Sequence, residues 1–571
     1  MPDQFPAFGS YALGADAEPR ASVDLATRGH QIFPTLSADD LRRVRRFGVP
    51  RRWQDGDCVF RACVDSPGMI VVLEGHLVCS RTDALGNRVE VVDYGPGQFS
   101  GEVAQLSGRP PLVDGTAVGE LDALVLDAAS IRALLMAEAD LGERLMRAFI
   151  LRRVLLIGDH PGGPILIGPP AHAGLFELEN FLSRNAYPYT RRDPAQDPEA
   201  AQLVREHWHD DADWPLVALP DGFVMRNPSL LELGRCIGTL PRIDRNKVYD
   251  VLVVGAGPSG LATAVYAASE GLSVMVLDQR AYGGQAGASA RIENFLGFPT
   301  GITGRALAGR SYVQAIKFGA EIAIPARATR LLCHQRPLRV ELEDGTCLRA
   351  KSLVLAAGAR YRRPELPDLE RYEGRGVYYW ASPVEAGLCR GQPVVLVGGG
   401  NSAGQAAVFL SAHASTVHLM VRRSGLEDTM SSYLIERIAA TPNIELHTRL
   451  GLDALEGDEN GLSRVRCRGI ADGREQAFET RHMFLFVGAD PNSDWLHECA
   501  VALDDKGFVL TGLDAGRDHH ARTLETSVDG VFAVGDLRAG STKRVAAAAG
   551  EGAAVVAQIH ACLANHDVVT A

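Results

Sequence analysis

The chain has 571 residues, 46% of them hydrophobic and 22% charged, with a net charge of −12. That length argues for several domains able to bury sizeable cores, and the acidic balance argues against non-specific nucleic-acid binding. No apolar run approaches the roughly eighteen residues of a membrane span, and the opening MPDQFPAFGSYALGADAEPR lacks the basic-then-apolar order of a signal peptide, so a cytoplasmic protein with no membrane partner is expected. The ten cysteines contain no C-x-x-C pair, which predicts buried free thiols, no metal site and no close-spaced redox pair.

In chain order, residues 1–30 show no periodicity and read as a mobile arm. From Leu36 a short basic helix, LSADDLRRVRRFG, precedes alternating runs (DCVFRA, MIVVLEGHLVCS, VEVVDYGPGQF, ALVLDAASI) that read as an antiparallel barrel or jelly roll closed by helices over 130–138 and 141–156. This pattern resembles a cyclic-nucleotide-binding domain through GDCVF, VVLEGHLVC, YGPGQFSGEVAQLSGRPP and ALVLD. In that family the glutamate of F-G-E takes a ribose hydroxyl and an arginine after a proline pairs with the cyclic phosphate. Gly101 and Glu102 match, but Pro111 stands at the arginine's place, with Arg109 two residues early and Asp114 just beyond. Without a bidentate cation for the phosphate, cyclic-nucleotide binding should be severely weakened, and a docking or structural barrel is the better reading. Residues 1–158 form this first domain.

DHPGG (159–163) reads as a linker. Residues 164–243 then run strand (PILIG), helix (HAGLFELENFLSRN), strand (YPYTRRD), helix (PEAAQLVREHW), hairpin (WPLVALPDG, FVMRNP) and helix (SLLELGRCIG). That order resembles a thioredoxin or glutaredoxin fold, with Trp214-Pro215 at its cis-proline. The redox thiols are missing: Pro169, Pro170, Ala171 and His172 stand where glutaredoxins carry them, and Cys236 on the last helix suits packing. A spacer or docking role is implied.

The stretch from Asp250 to Pro299 organises the remainder. Val251–Val254 suits a buried parallel strand, and GAGPSG follows: Gly255 for the tight turn, Gly257 for close approach of a diphosphate, Gly260 for helix–strand packing, with Pro258 and Ser259 opening the helix. Asp278, beside Gln279, ends the next apolar run, where a carboxylate takes ribose hydroxyls. At PVVLVGGGNSAGQAAVFL the geometry returns with Gly398, Gly400 and Ala403 at fingerprint spacing and Asn401-Ser402 between them. Its following strand ends in Arg422-Arg423, which match a 2′-phosphate and favour NADPH over NADH.

The order of motifs resembles the low-molecular-weight thioredoxin reductases over roughly the last 325 residues, through GAGPSG, GGQ, IENF-x-GFP, AAG, GGGNSA, VRR, GADPN and GVFAVGD. The resemblance implies two Rossmann-like domains, the second inserted in the first: 247–362 with 487–571 binding FAD, and 363–486 binding NADPH. It places Gly284, Gln285, Asn294 and Gly358 near the flavin and diphosphate and Gly535-Asp536 on the ribityl and phosphate portion. Arg544 and Val545 open the final helix, whose positive end would face the flavin. It also implies a homodimer.

One departure matters most. The family's C-A-T-C-D segment is replaced by Trp380, Ala381, Ser382 and Pro383; Cys389 is alone and late, and Glu385 falls near the family's acid. No thiolate there can relay electrons to a disulfide. Glu385 reads either as a proton donor or as an ordinary exposed glutamate, and Trp380 either as a gate over the flavin or as packing. The expectation is an FAD oxidoreductase taking hydride from NADPH and serving a quinone or dye, oxygen, or a small redox protein of ferredoxin or flavodoxin type. The alternatives are a non-catalytic flavin or nucleotide sensor whose N-terminal modules dock a partner, and a thioredoxin-disulfide reductase using distant cysteines.

Overall fold

The computed structural model describes residues 25–571, apart from 63, 65–66, 83–87, 159–162, 171, 242, 517–522 and 571. Most of the arm, most of the linker and Ala171 therefore lie outside the described residues. The chain divides into two compact units, one comprising 1–169, 181–243 and 316–325, the other 170–180, 244–315 and 326–571.

In the first unit the strands Val49–Trp53, Asp114–Leu126, Met69–Thr82 and Arg88–Tyr94 lie side by side, with Cys58–Phe60 also pairing with Asp114–Leu126. All of these pairings are antiparallel, and alternate residues (Ile70, Val72, Leu77, Tyr94, Ala117, Leu121) fill the interior. The helices Ala128–Ala137 and Ala139–Gly158 follow, each slightly longer than the hydrophobic pattern predicts. Leu25–Ile32 is helical, although residues up to 30 were expected to lack structure; Ile32 is fully buried, which supplies the tertiary support the local sequence does not advertise.

A second sheet in this unit runs in the order Thr190–Arg192, Ile165–Ile167, Leu216–Ala218, Val224–Arg226. Its first pair is parallel and the other two antiparallel. The Trp214–Pro215 peptide is cis. Cys236 is exposed, which corrects the expectation that it packs.

The second unit is built on the parallel strands Val274–Leu277, Val248–Val254, Cys347–Leu355 and Val531–Ala533, extended by the antiparallel Leu338–Leu342 and Ala328–Leu332. Runs such as Val251–Val253 and Leu353–Leu355 are buried on both faces, as the unbroken apolar sequence requires. The chain leaves this sheet through Ala359–Tyr361 and returns through its antiparallel partner Ala489–Pro491. Between them lies a five-stranded parallel sheet, Val377–Tyr378, His482–Leu485, Pro393–Val397, Thr416–Val421 and Ile444–Thr448, with the antiparallel ladder Leu450–Asp458, Gly461–Gly469, Glu475–Glu479.

The last helix, Val545–Thr570, is apolar enough over Val545–Ala564 to cross a membrane by length and composition, a feature the search for unbroken apolar runs passed over. Its Val555, Val556, Ile559 and Cys562 are buried inside the protein. A Cβ on Gly552 would fall 2.2 Å from the Ser259 carbonyl, so glycine there lets two helices meet backbone to backbone. These contacts pack one face of the helix within the protein, with about 33% of the apolar stretch buried.

Candidate functional site

The first glycine turn leaves the strand Val248–Val254 at its carboxyl end. Gly255 has φ +114°, and a Cβ there would sit 2.1 Å from the Ala356 carbonyl oxygen; at Gly260 it would sit 1.8 Å from the Gly255 oxygen. Both positions therefore exclude any side chain. Gly257 differs, since its nearest neighbour would be Gly284 Cα at 4.0 Å. Its bareness opens space, and it caps the helix Pro258–Ser269 without a side-chain acceptor, leaving the first amide groups to a ligand. The Gly283 amide donates to the Ala256 carbonyl at 2.7 Å, which draws the Gly284-Gln285 turn against this cradle. Gln285 Nε2 donates to the Ala359 carbonyl.

Asp278 sits at the expected strand end, but its carboxylate is already engaged. Oδ2 accepts the Ala256 amide at 2.9 Å, and Oδ1 accepts those of Arg280 and Ala281 at 2.9 and 3.0 Å. It braces the glycine turn first, with only its remaining lone pairs free for ribose hydroxyls. Gln279 is exposed. Asn294 is also exposed and lines a cavity of about 420 Å3 together with Glu293, Tyr433 and Arg437.

Gly535-Asp536 closes the other side. Gly535 has φ +71°, and a Cβ on it would lie 2.6 Å from Ser259 Oγ, so this turn abuts the start of the first helix. Burial raises the Asp536 carboxyl above the usual range, opposed by the charge of Lys543, whose Nζ donates to the Asp536 carbonyl at 2.6 Å. Glu551 holds the turn by accepting the Gly535 amide at 2.7 Å while pairing with Arg538 at 2.6 Å. Sequence motifs give no hint of Glu551 or Arg538, because the contacts join residues 16 and 13 positions apart. Arg544 is exposed and Val545 begins the last helix. Gly358 has φ +64°, and its carbonyl accepts the Asn492 amide at 3.0 Å. The combination of a bare Gly257, uncapped helix amides and a ring of glycine turns fits an extended diphosphate.

The second glycine turn repeats the design. Gly398 has φ +150°, Gly400 caps the helix Asn401–Ser411 without a side-chain bond, and Ala403 is fully buried. Thr429 Oγ1 donates to the Gly399 carbonyl at 2.7 Å, and Asn401 Oδ1 accepts the Ser431 amide at 2.8 Å. Asn401 is thus spent on holding a loop. Ser402 bonds Tyr361, whose ring meets Phe486 edge-on at 5.2 Å, a link between the two sheets that no motif announced. Arg422 and Arg423 are exposed at the strand end; Arg423 lies 3.4 Å from Asp428, whereas Arg422 has no partner among the described residues. Arg449, at φ +55°, donates its amide to the Arg423 carbonyl. The arginine edge fits a phosphate monoester.

The family model for pyridine nucleotide-disulphide oxidoreductases matches residues 249–552, the stretch that carries both turns. The chain belongs to that family. Residues 50–138 match the cyclic nucleotide-binding domain. Thioredoxin reductase of Mycolicibacterium smegmatis is 33% identical over 56% of this chain and 98% of its own length. NADPH-dependent thioredoxin reductase 3 of Arabidopsis thaliana is 34% identical over 53% of this chain and 56% of its own. Among solved structures, Lactococcus lactis thioredoxin reductase superposes with a TM-score of 0.51 at 27% identity, over 56% of this chain and 99% of that one.

The segment Trp380–Pro383, set by resemblance against C-A-T-C-D, forms a helix cap. Ser382 precedes the helix Pro383–Leu388 and its Oγ accepts the Val384 amide, while Glu385 reaches back to accept the Ser382 amide at 2.8 Å. Trp380 Nε1 donates to the same carboxylate at 2.6 Å. Glu385 is completely buried, which corrects the reading of an exposed glutamate, and burial raises its pKa against the lowering pull of Ser382 and Trp380. Trp380 is half-buried, and its indole nitrogen is engaged by Glu385. Cys389 is buried in the apolar cluster with Ala386, and burial pushes its thiol up to about 11.

In the N-terminal domain, Gly101 has φ +114°, and Glu102 opens the short helix Val103–Ser107 with its amide donating to Gln105 Oε1 at 2.6 Å. The Glu102 carboxylate is buried, with one oxygen 3.4 Å from Arg153 and the other without a partner among the described residues. Arg109 donates to the Ile322 carbonyl at 3.3 Å. A residue no motif flagged, Arg152, is buried beneath: it donates to the carbonyls of Ile32, Phe99 and Gly101, with its cation 4.5 Å from the Phe99 ring centre. It tethers the Gly101 segment by filling the core under it.

Proposed function

We propose that this chain is an FAD-dependent oxidoreductase that takes hydride from NADPH and passes electrons to an acceptor other than a disulfide of its own. The single observation that carries the reading is the Trp380–Glu385–Ser382 cap, which occupies the place of a redox dithiol with groups that bind one another. On this reading 247–362 and 487–571 hold FAD and 363–486 holds NADPH. FAD bound there would supply hydride acceptance and one- or two-electron release. The chain's own contribution is placement: Gly255, Gly257 and Gly260 admit the diphosphate, Asp536 and Lys543 sit at the ribityl side, and Arg422 and Arg423 take the 2′-phosphate. Losing the thiols leaves hydride transfer possible, because it needs only proximity of the two reacting rings. The exit is then a quinone or dye, oxygen, or a small redox protein.

The 164–243 module we read as thioredoxin-like, on its strand order, its one antiparallel inner strand and the cis Trp214–Pro215 bond. With no thiol at its first helix it serves as a docking or spacing element, as does the barrel.

Anaerobic addition of NADPH to the yellow holoprotein tests the proposal. Bleaching within seconds, followed by reoxidation with a quinone dye, is the expected course. A flavin that stays oxidised for hours would favour the second reading, a non-catalytic sensor, which the Arg153–Glu102 pair and the capped segment both motivate by closing positions where relatives bind or react.

A further inference from the structure

The inserted parallel sheet carries a cluster that the nucleotide chemistry does not use. The strands Thr416–Val421 and Ile444–Thr448 pair in parallel with His418 opposite Glu445 and Met420 opposite His447. Residues two apart on a strand share a face, so His418, Glu445 and His447 all project on one side. His418 Nδ1 lies 3.3 Å from His447 Nε2 and 3.1 Å from Glu445 Oε2, and His447 Nε2 lies 3.7 Å from that same oxygen. Three lone-pair atoms thus converge on one point.

These separations have a chemical meaning. Ligands about 2.0–2.1 Å from a tetrahedral zinc ion stand roughly 3.3–3.5 Å apart. The observed edges of 3.1, 3.3 and 3.7 Å bracket that value before any ion is introduced. Phe478 flanks both imidazoles, with ring centres 4.9 and 5.1 Å away, and fixes their planes. The two histidine side chains are 18% and 21% exposed and the glutamate 55%, so the donors sit on a rigid, mostly apolar floor with an open approach from solvent. We propose that His418, Glu445 and His447 form a divalent transition-metal site selective for Zn2+, with three protein ligands and one open vertex. Two imidazoles and one carboxylate are a donor set of borderline softness, which suits Zn2+ over Mg2+ or Ca2+. Bound there, the ion clamps the outer strand Ile444–Thr448 to the strand that leads into Arg422-Arg423. This inference stands apart from the proposed reaction, since it concerns neither the flavin nor the acceptor.

Titration of the untagged, chelator-stripped, flavin-loaded full chain with zinc chloride by calorimetry tests it. One Zn2+ per chain is expected, with a rise in unfolding temperature of about 3 °C or more at saturation. Glu445→Gln, at a solvent-facing position, should fold normally and weaken the site about tenfold or more; His418→Gln/His447→Gln should abolish uptake while keeping all ten cysteines. Absence of stoichiometric uptake by the native chain would overturn the proposal. So would undiminished uptake in the double variant, which would put the metal on cysteines, or unchanged affinity in Glu445→Gln, which would remove the carboxylate from the ligand set.

Discussion

Trp380 Nε1 donates to Glu385 Oε1 at 2.6 Å, within the cap that opens the helix Pro383–Leu388. This bond partners a carboxylate that is buried and also held by the Ser382 cap. Trp380→Phe should therefore lower stability by about 1–3 kcal/mol, the usual loss when a buried polar group is left short of a donor. Glu385→Gln should be milder, because an amide retains the cap. Under the proposed function neither variant slows flavin reduction by NADPH more than about twofold. Urea unfolding and anaerobic stopped-flow measure the two effects separately; a large drop in reduction rate at unchanged stability would return Trp380 and Glu385 to a catalytic role.

The unequal surroundings of the two arginines at the second nucleotide site predict unequal effects. Arg423 leans on Asp428, whereas Arg422 is uncommitted among the described residues and exposed. Arg422→Ala should raise the KM for NADPH about ten- to a hundredfold, the worth of a charge-assisted phosphate contact, and Arg423→Ala less. The KM for NADH should move by no more than about twofold in either variant. Parallel increases for both nucleotides would mean the arginines do not read the 2′-phosphate.

Cyclic nucleotides should bind the barrel poorly. Glu102 is buried against Arg153, Arg109 is turned to the Ile322 carbonyl, and Pro111 offers the phosphate no donor. Calorimetry with cAMP and cGMP is expected to show no saturable heat below about 1 mM, and a dissociation constant under about 100 µM would contradict the closed pocket drawn from the Glu102–Arg153 pair.

Gly255, Gly260 and Gly398 were readable from sequence because their need is local: a left-handed turn, or a backbone so near that a Cβ has no room. Apolar runs likewise announced the parallel strands. Asp278 shows the limit, since a carboxylate at a strand end serves a ribose or the backbone equally well, and in the fold three amides already claim it. Glu551, Arg152 and Tyr361 act through partners distant in sequence, so no spacing rule reaches them. The His418–Glu445–His447 cluster was invisible for the same reason: the parallel register unites residues 27 and 29 positions apart.

His482 makes the inserted domain acid-sensitive. Burial, and then the neighbouring Arg481 charge, hold its imidazole down to about 4, below the ordinary 6.5. The unfolded chain takes up a proton below pH 6.5 that the folded ring refuses until about pH 4. Stability from this group is therefore complete above pH 6.5, declines as pH falls, and is lost by about pH 4, a total of about 3 kcal/mol. His482→Gln should flatten that part of the stability–pH curve. If urea midpoints of the native chain and the variant run parallel from pH 7 to pH 4, the buried neutral ring is not responsible.

Thiol alkylation bears most directly on the exit route for electrons. Burial pushes Cys389 up to about 11 and Cys467 and Cys499 to about 12, so at pH 7.5 fewer than about one in a thousand of each is thiolate, the form that attacks iodoacetamide or a disulfide. Cys58 and Cys236 are exposed, so reagent should reach them before the buried thiols. Alkylation at neutral pH is thus expected to label these two while NADPH-driven dye reduction keeps its rate. Cys333 and Cys499 deserve separate tracking by mass spectrometry, because their side chains interact across 166 residues of sequence and constitute a distant thiol pair. Loss of turnover that follows modification of Cys333 or Cys499 would replace the thiol-free exit with disulfide reduction through that pair.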